Sequence, residues 1–442
     1  MSEWEKVQLK ELAEIRVSNV DKKIHNGKSL VKLCNYMDVY SNDFITKNIP
    51  FQIGSADNRE LARFSLKIND VIITKDSESP DDIAIPAVVK ENIDNLVCGY
   101  HLAILRPFTN KLDGTFLMYK LSHFELKKHF FRAANGSTRY GLVISDIENA
   151  SFKYPVFIDE QQKIAHILST VDAVIEKTEA AIAKYKAIKA GMMHDLFTRG
   201  ITENGQLRPS YQQAPHLYKP SKLGWIPKEW EISSIEKSNV QIIDGDRGSN
   251  YPHEDELFEH GYCLFLNASN VTINGFVFLS KMFISEEKEN VLGSGKLERY
   301  DIVITTRGTV GNIAFYSDNV QFEHLRINSG MLILRNNEQG MFSEFLFQSF
   351  KNYLFDIDYR RVVSGSAQPQ LPMKDLKSFH LIKPDEIEQL KIINICKHHD
   401  SLLNSEIIYL EKMNQLKQGL MQDLLTGKVK VNPNTHSERP LC

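Results

Sequence analysis

The sequence lacks the cysteine patterns of disulfide-rich and zinc-binding proteins. Its 442 residues include five cysteines, which are scattered, form no Cys-x-x-Cys pair and share no zinc-site spacing with histidines. No apolar run reaches membrane-spanning length, and the first residues show no apolar signal core. We therefore expect a cytoplasmic protein with reduced cysteines, no metal site and no membrane contact.

An excess of positive charge is also missing. Lys and Arg number 53 against 56 Asp and Glu, so the formal net charge at pH 7 is −3. Overall charge therefore does not by itself indicate a nucleic-acid binder. If the chain binds DNA, its positive charge must be concentrated on one face or shared with a partner subunit. The chain length favours two or three domains.

No complete catalytic motif occurs in the sequence. The Asp-Pro-Pro-Tyr and Asn-Pro-Pro-Phe motifs of adenine methyltransferases are absent, and no Gly-x-Gly-x-x-Gly follows a predicted strand. Segment 293–296 (Gly-Ser-Gly-Lys) resembles a phosphate-binding loop. However, Asn290 replaces its first glycine, and Leu297 replaces the Ser or Thr that would bind magnesium. Segment 286–288 (Glu-Glu-Lys) lacks the upstream Pro-Asp of a nuclease site. We expect a chain without catalytic activity of its own.

A heptad pattern runs from Glu160 to Phe197. Apolar residues recur there alternately four and three positions apart, which predicts a helix roughly 55 Å long that packs against another helix. Thr178 and Lys189 interrupt this apolar seam. Its predicted interface residues are Ile164, Leu168, Val171, Ile175 and Ile182.

The partner helix is predicted in the same chain, because the pattern repeats with Asp400 in the place of Asp172. The ending 191–198 (Gly-Met-Met-His-Asp-Leu-Phe-Thr) matches 419–426 (Gly-Leu-Met-Gln-Asp-Leu-Leu-Thr), which favours an internal repeat over two unrelated amphipathic helices. Lys189 and Lys417 are equivalent seam positions, and we interpret them as setting the alignment of the helices or as extending from the bundle edge. The second seam consists of Ile392, Cys396, Leu403, Leu410 and Met413.

Each half of the repeat places a mixed domain before its long helix. Short β-branched runs predict strands at 71–74, 102–105, 302–306 and 331–334, and aromatic and leucine spacing predicts helices at 116–129 and 345–355. The predicted fold class is α+β: two α/β-mixed domains joined by two long antiparallel coiled-coil helices, with an internal pseudo-two-fold repeat. The predicted boundaries are 1–153 for the first domain, 154–199 for the central helix, 200–221 for a linker, 222–380 for the second domain, 381–428 for the distal helix and 429–442 for a disordered tail.

Several segments carry a resemblance to a known family. They are 223–231 (Leu-Gly-Trp-Ile-Pro-Lys-Glu-Trp-Glu), 365–371 (Gly-Ser-Ala-Gln-Pro-Gln-Leu) and the ending 419–427. With the alternation of domains and near-repeated helices, they resemble the specificity (S) subunit of Type I restriction-modification enzymes over almost the whole chain. The first half departs at 136–141 (Gly-Ser-Thr-Arg-Tyr-Gly), which lacks the Gln-Pro of the second half.

The resemblance implies a DNA reader without catalysis. Each domain would be a target recognition domain that reads one half of a bipartite, asymmetric sequence in double-stranded DNA, and the helices would hold the domains at a fixed separation. Two methyltransferase (M) subunits would dock on the chain and methylate adenine, and restriction (R) subunits would add ATP-driven translocation and cleavage. S-adenosylmethionine, ATP and Mg would be bound by these partners, so this chain needs no cofactor.

Basic side chains are the candidates for DNA contact, because Lys and Arg bind phosphates and Arg also reads base edges. Arg307 lies in a glycine-flanked loop after a predicted strand, and Arg132 and Arg361 occupy equivalent positions. Each alone is equally compatible with a solvated surface charge. The candidates are Lys75, Lys127, Lys128, Arg132 and Arg139 in the first domain, and Arg247, Arg307, Arg326, Arg360 and Arg361 in the second.

Two other interpretations remain open at this point. The helices could serve only oligomerisation, in a scaffold protein that does not bind DNA. The chain could also be a stand-alone nuclease or methyltransferase with an unrecognised site. DNA binding by the assembled complex would exclude the first, and catalysis by the purified chain would support the second.

Overall fold

A computed structural model describes residues 3–362 and 370–431 of the chain. The molecule divides into two compact units: unit 1 comprises Met1–Ala180 and Ile408–Cys442, and unit 2 comprises Ala181–Ile407. Each unit therefore holds one mixed domain and part of each long helix. The domain boundaries predicted from the sequence treat each long helix as a separate segment, and they stay a prediction. The Gly365-Ser366 pair of the motif and the predicted tail from residue 432 onward lie outside the described residues.

Unit 1 contains both strands and helices. Its strands are β1 (Trp4–Gln8), β2 (Ala13–Val17), β3 (Ser29–Cys34), β4 (Phe44–Ile45), β5 (Gln52–Ala56), β6 (Val71–Thr74), β7 (Asp76–Ser77), β8 (Pro86–Val89), β9 (Leu96–Cys98), β10 (Leu102–Pro107), β11 (Tyr140–Gly141) and β12 (Ser151–Pro155). Its helices are α1 (Tyr36–Tyr40), α2 (Asn58–Phe64), α3 (Gly114–Ser122), α4 (Phe124–Ala133), α5 (Ile144–Glu148) and the first part of α6 (Ile158–Thr198).

The main sheet of unit 1 has the strand order β2-β10-β6-β8-β4. Successive side chains of a strand point to opposite faces, so Val71 and Ile73 pack in the core that contains Phe116, and Ile72 packs in the core that contains Leu33 of the second sheet, β5-β3-β9. Because apolar cores cover both faces, the whole of β6 is buried and its sequence does not alternate between polar and apolar residues.

Unit 2 repeats this plan with other lengths. Its strands are β13 (Tyr218–Ser221), β14 (Gly224–Pro227), β15 (Glu231–Ser234), β16 (Val240–Asp244), β17 (Cys263–Leu266), β18 (Val271–Thr272), β19 (Gly275–Phe276), β20 (Phe283–Ile284), β21 (Ile302–Thr305), β22 (Ile313–Phe315), β23 (Leu325–Ile327), β24 (Met331–Asn336) and β25 (His380–Lys383). Its helices are α7 (Glu286–Val291), α8 (Ser343–Ser349), a π-helix (Phe350–Leu354), α9 (Phe355–Val362), α10 (Met373–Leu376) and the first part of α11 (Glu386–Leu424).

The two domains have similar strand topologies, with five strands in the main sheet of unit 1 and four in that of unit 2. The main sheet of unit 2 has the order β16-β24-β21-β22, and its second sheet, β20-β17-β23, has one antiparallel and one parallel pairing, as β5-β3-β9 does. The ion pair between Arg106 and Asp70, with Nε and Oδ1 2.7 Å apart, has its equivalent in Arg335 and Asp301 at 3.0 Å. The predicted repeat and the α+β fold class are confirmed.

Most of the predicted elements also appear at the expected positions. Strands β6, β10, β21 and β24 lie where the β-branched runs predict them, although β21 ends one residue early, at Thr305. The helix predicted over 116–129 is two helices, because the backbone of His123 is extended, with ψ 145°. The one predicted over 345–355 includes the π-helix. In the ranges 3–362 and 370–431, no helix combines the length and apolar character that spanning a membrane requires.

The two long helices run antiparallel within each unit. In unit 1, Ile164 packs in the same core as Leu424, and Asp172 pairs with Lys417, so residue numbers rise along one helix as they fall along the other. In unit 2, Lys189 pairs with Asp400, and Met193 Sδ lies 3.4 Å from Cys396 Sγ. Among the predicted seam residues the fully buried ones are Ile164, Leu168, Ile182, Ile392 and Cys396, and the half-buried ones are Val171, Ile175, Leu403, Leu410 and Met413.

The ends of the long helices are anchored by equivalent contacts. Gly200 follows α6 with φ +69°, and Gly427 follows α11 with φ +74°. This left-handed conformation suits glycine at a helix C-terminus, and a Cβ there would lie 2.5 Å from Trp230 or 2.9 Å from Trp4. At the other ends, Gln161 and Gln389 each accept a backbone hydrogen bond, at 2.8 and 2.9 Å, and donate to two carbonyls.

Candidate nucleic-acid interface

One corner of the first domain brings four polar side chains together. Strand β6 ends at Thr74, which pairs with Leu102 at the start of antiparallel strand β10. The residues just beyond this pair, Lys75 and His101, are joined by a backbone hydrogen bond from Lys75 N to His101 O of 2.8 Å. With Asp76 and Arg139 they form what we call the first corner cluster.

Asp76 holds the first corner cluster together. Its carboxylate accepts hydrogen bonds from Lys75 Nζ at 2.8 Å and from His101 Nδ1 at 2.5 Å. Arg139 Nη2 lies 3.4 Å from His101 Nε2, and the rest of the Arg139 side chain is exposed. Burial favours the protonated carboxyl, but the hydrogen bonds from Lys75 and His101 outweigh it and lower the pKa of Asp76. The cluster therefore presents fixed cationic donors at the surface.

Aromatic side chains lie beside this cluster. The rings of Tyr36 and Tyr40 stack with centroids 5.7 Å apart, and the Tyr100 ring lies 4.0 Å from the imidazole of His101. His101 itself has φ +69°, which is uncommon for a residue with a side chain and directs the imidazole toward Asp76. Sequence reasoning missed these residues, although Tyr100 and His101 stand directly before the strand predicted at 102–105, which is the signal that could have found those two.

The equivalent corner of the second domain has the same backbone. Thr306 N donates to Gly330 O at 2.8 Å, in the place of Lys75 and His101. Leu371 N donates to Thr306 O at 3.0 Å, just as Leu142 N donates to Lys75 O at 3.0 Å. The two domains therefore bring equivalent chain segments together at the ends of two inner strands of the main sheet, β6 and β10 in unit 1 and β21 and β24 in unit 2.

Different side chains occupy this second corner. Arg247, Arg307 and Gln370 line a surface cavity of about 200 Å³, and we call these three residues the second corner cluster. Arg247 Nη2 lies 3.1 Å from Asp244 Oδ2 and also donates to Ser329 O at 3.3 Å. Arg307 is exposed and has no ion-pair partner in the part of the chain that the structure describes. Sequence reasoning predicted both arginines and missed Gln370.

The remaining exposed candidates lie on helices. Arg132 and Arg361 each stand one residue before the end of their helix, α4 and α9, so their predicted equivalence agrees with the fold. Arg361 pairs with Asp358 at 3.0 Å and donates to Lys222 O. The other predicted DNA-contact residues on these helices, all of them exposed, are Lys127, Lys128 and Arg360.

Arg326 is placed differently from the other candidates. Its side chain is 4% exposed and its Nε lies 2.6 Å from Oε2 of Glu289, which is 1% exposed. A second guanidinium nitrogen donates to Ser294 O, so Arg326 fastens the Gly-Ser-Gly-Lys segment to the second sheet. Burial raises the pKa of Glu289, but Arg326 outweighs it and holds this pKa below its usual value. With its donors engaged inside the domain, Arg326 has no exposed face for DNA.

Comparison with known proteins identifies the family. The profile of the type I restriction modification DNA specificity domain matches residues 1–185 and 227–418, the two halves of the repeat. The chain belongs to this family of specificity subunits. A Methanocaldococcus jannaschii protein named for the MjaX specificity subunit of a type I restriction enzyme is 26% identical over 439 residues, covering 97% of this chain and 94% of that protein. The MjaVIII specificity subunit of the same organism is 24% identical, with 94% and 92% covered.

Solved structures share the fold of this specificity subunit. The S subunit of a type I restriction-modification system from M. genitalium superposes with a TM-score of 0.58 at 16% identity, covering 96% of both chains. A chain from a study of complex assembly and conformational transition of the type I R-M system gives a TM-score of 0.51 at 14% identity, with 96% and 98% covered. DNA sequence recognition is the function of this family, so the corner clusters belong to DNA specificity domains.

The predicted linker of the specificity subunit contacts its own unit. Arg208 pairs with Glu388 near the start of α11, and Trp230 Nε1 donates to Glu388 Oε2 at 3.0 Å. Ile201 N donates to Glu388 Oε1 at 2.7 Å. In unit 1, Trp4 Nε1 donates to the equivalent Glu160 at 3.2 Å. In each half, a buried glutamate of the long helix, Glu160 or Glu388, thus binds the tryptophan near the start of the domain.

Proposed function

We propose that each domain reads one half-site of a bipartite DNA sequence through its corner cluster. The observation that carries this proposal is the shared corner geometry: equivalent backbone segments meet at the same strand ends in both domains, with basic side chains at each. In one cluster these are Lys75 and Arg139, and in the other Arg247 and Arg307. An arginine in such a corner can donate two hydrogen bonds to guanine, and a lysine can bind phosphate.

The two half-sites differ because the clusters differ. The first corner holds a Lys-Asp-His-Arg network, whereas the second holds two arginines and a glutamine. Gln370 suits adenine, to which an amide can both donate and accept. Duplex DNA has local two-fold symmetry, so similar domains can meet its grooves in equivalent ways. An asymmetric, interrupted target follows from two unlike readers on one chain.

The exposed helix cations have a different role in this proposal. Lys127, Lys128 and Arg132 on α4, and Arg360 and Arg361 on α9, lie on the helices that precede Arg139 and Gln370 in the chain, and we propose that they bind backbone phosphates. These contacts add affinity without sequence information. Arg326 is not part of the proposed contact set, because its guanidinium is buried with Glu289.

The chain supplies recognition, and its partners supply the chemistry. We infer that two M subunits methylate adenine with S-adenosylmethionine, and that R subunits use ATP and Mg for translocation and cleavage. The family assignment supports this division of labour. In residues 3–362 and 370–431 no group of three or more His, Cys, Asp or Glu side chains is placed to hold a metal ion.

Genome-wide mapping of methylated adenines tests the proposal. Cells that express the chain with its M subunits should methylate one bipartite sequence, and cells without the chain should not. Exchanging residues 1–150 for the domain of a relative should change one half-site and preserve the other. A change in both half-sites, or methylation that does not depend on the chain, would contradict independent reading by two domains.

A further inference from the structure

We propose that unit 2 carries a phosphate-binding site outside the corner clusters. It is a cavity of about 800 Å³ that we call the lysine cavity, and the residues that define it are Lys186, Lys189, Lys351, Asn352 and Asp400. The family assignment does not account for this cavity. None of the predicted DNA-contact residues lines it.

Four elements of unit 2 build the walls. Helix α6 supplies Lys186 and Lys189, helix α11 supplies Asp400, the π-helix supplies Lys351, and the turn between β18 and β19 supplies Asn274. A π-helix in place of α-helical turns is rare and often marks a functional position. Here the π-helix sets Lys351 against the long helices, where its Nζ lies 3.8 Å from Asp400 Oδ2.

The cavity has more positive than negative charge. Lys189 also pairs with Asp400, so one carboxylate serves two lysines, while Lys186 stands exposed at the rim. Asp400 is the sole carboxylate among the described lining residues. Burial lowers the pKa of Lys351, and Lys189 opposes its charge as well, although Asp400 offsets part of both effects. A bound anion would relieve this unfavourable crowding of cations.

Phosphate fits the cavity better than a single carboxylate does. Its several oxygens and its charge of up to two can accept from more than one lysine at once, and lysine binds phosphate as a compact point charge. Asn274, Asn404 and Ser401 add neutral donors to the lining. The volume is within the usual range for small-molecule sites.

The equivalent place in unit 1 lacks these features. There Asp172 pairs with Lys417 at 2.6 Å and accepts from the Tyr119 hydroxyl at 2.5 Å. Asp43 adds a second carboxyl to the neighbourhood of Lys417, and burial raises the pKa of this carboxyl. An acid and a phenol thus lie near the lysine–aspartate pair of unit 1, whereas a second lysine, Lys351, lies near the pair of unit 2. We therefore expect one phosphate site per chain.

The phosphate can come from a free phosphate compound or from the DNA backbone. The first source does not depend on target reading by the corner clusters, and the second rests on the proposed function. Two measurements separate them: calorimetric titration of the full-length chain with pyrophosphate, and the salt dependence of duplex binding by the chain assembled with its M subunits.

Three lysine variants provide the comparison. Lys351→Met and Lys186→Met remove cavity charge, and Lys186 is exposed, so its variant does not threaten the fold. Lys184→Met is the matched control, because Lys184 is an exposed residue of α6 that does not line the cavity. Equal thermal unfolding midpoints for Lys186→Met, Lys184→Met and the parent establish that affinity changes reflect the cavity.

If the ligand is a free phosphate compound, we expect one pyrophosphate to bind per chain. Binding should be at least tenfold weaker in both cavity variants and unchanged in the Lys184→Met control. A backbone phosphate instead predicts that both cavity variants reduce the salt slope of DNA binding by about one, with the methylated sequence unchanged. The inference is overturned if both measurements leave the cavity variants equal to the control. Parent chains that bind pyrophosphate but not DNA would refute the proposed function and preserve this site.

Discussion

Lys417 and Asp172 join the two long helices of unit 1 through an ion pair of 2.6 Å. Lys189 and Asp400, their repeat equivalents, form the same pair in unit 2. Each lysine was predicted as a polar interruption of an apolar seam, and each reaches a carboxylate on the other helix. Polar seam residues can fix the register of packed helices at some cost in stability. We expect these two ion pairs to set the register of the long helices.

Breaking the unit 1 pair should destabilise the helix pair. Asp172→Asn removes the acceptor charge of both Lys417 and Tyr119, whose side chains remain largely buried, and we expect a loss of about 1–3 kcal/mol in unfolding free energy. Urea unfolding of Asp172→Asn, Lys417→Met and the double variant measures the coupling. Strictly additive losses would argue that the ion pair does not act as a unit.

Corner arginines should control the half-sites separately. Arg139→Ala should relax sequence preference in one half-site and Arg307→Ala in the other, each with about 10-fold to 100-fold weaker binding to the preferred sequence. Lys281→Ala, which changes an exposed cation of the second domain, is the control. Competition binding of the complex with M subunits to duplexes altered in one half-site measures the effect. Uniform weakening on all sequences would assign these arginines to phosphates instead.

We expect Arg326 to contribute to the stability of the fold and not to the recognition of DNA sequence. Arg326→Met leaves the buried Glu289 carboxylate without its main partner, and we expect a loss of about 3–5 kcal/mol in stability. Unfolding of Arg326→Met and of Arg326→Met with Glu289→Gln checks this, because the second change removes the uncompensated charge and should restore part of the loss. A stable single variant with altered target preference would reverse the assignment.

The Asp76 network should contribute stability only above acidic pH. The folded-state pKa of Asp76 lies below its ordinary value of 3.8 because hydrogen bonds from Lys75 and His101 outweigh burial. Its contribution is therefore fully present above about pH 4 and is lost as pH falls through the folded-state pKa. Unfolding free energies of the parent and Asp76→Asn should differ by a steady amount above about pH 5 and converge as the pH falls below 3.8. A constant difference across this range would exclude the linkage.

Helix length should set the unread spacer of the target. Insertion of helical residues near Thr178, a buried seam position whose hydroxyl donates to Val174 O at 2.8 Å, should change the number of base pairs between methylated half-sites. Methylome sequencing of cells that carry the insertion provides the measurement. An unchanged spacer in an active variant would show that the helices do not determine the distance.

Periodic and local features allowed the fold to be predicted. The heptad pattern fits α6 and α11 because helix packing needs an apolar residue at every turn, and the run at 71–74 fits β6 because a strand covered on both faces is apolar throughout. The repeat was readable in the helix endings because Leu196 and Leu424 occupy equivalent buried positions that require an apolar side chain.

The sequence by itself thus determined the α+β class, the duplication and the long helices. Only the tertiary structure decided which cationic side chains are exposed. The sequence gives no reason to separate Arg307 from Arg326, yet Arg307 is exposed and Arg326 is buried in an ion pair with Glu289. It also assembled the first corner cluster from Lys75, Asp76, His101 and Arg139. Residues so far apart in the chain meet only when strands pair, and their exposure depends on what packs against them, which no local pattern records.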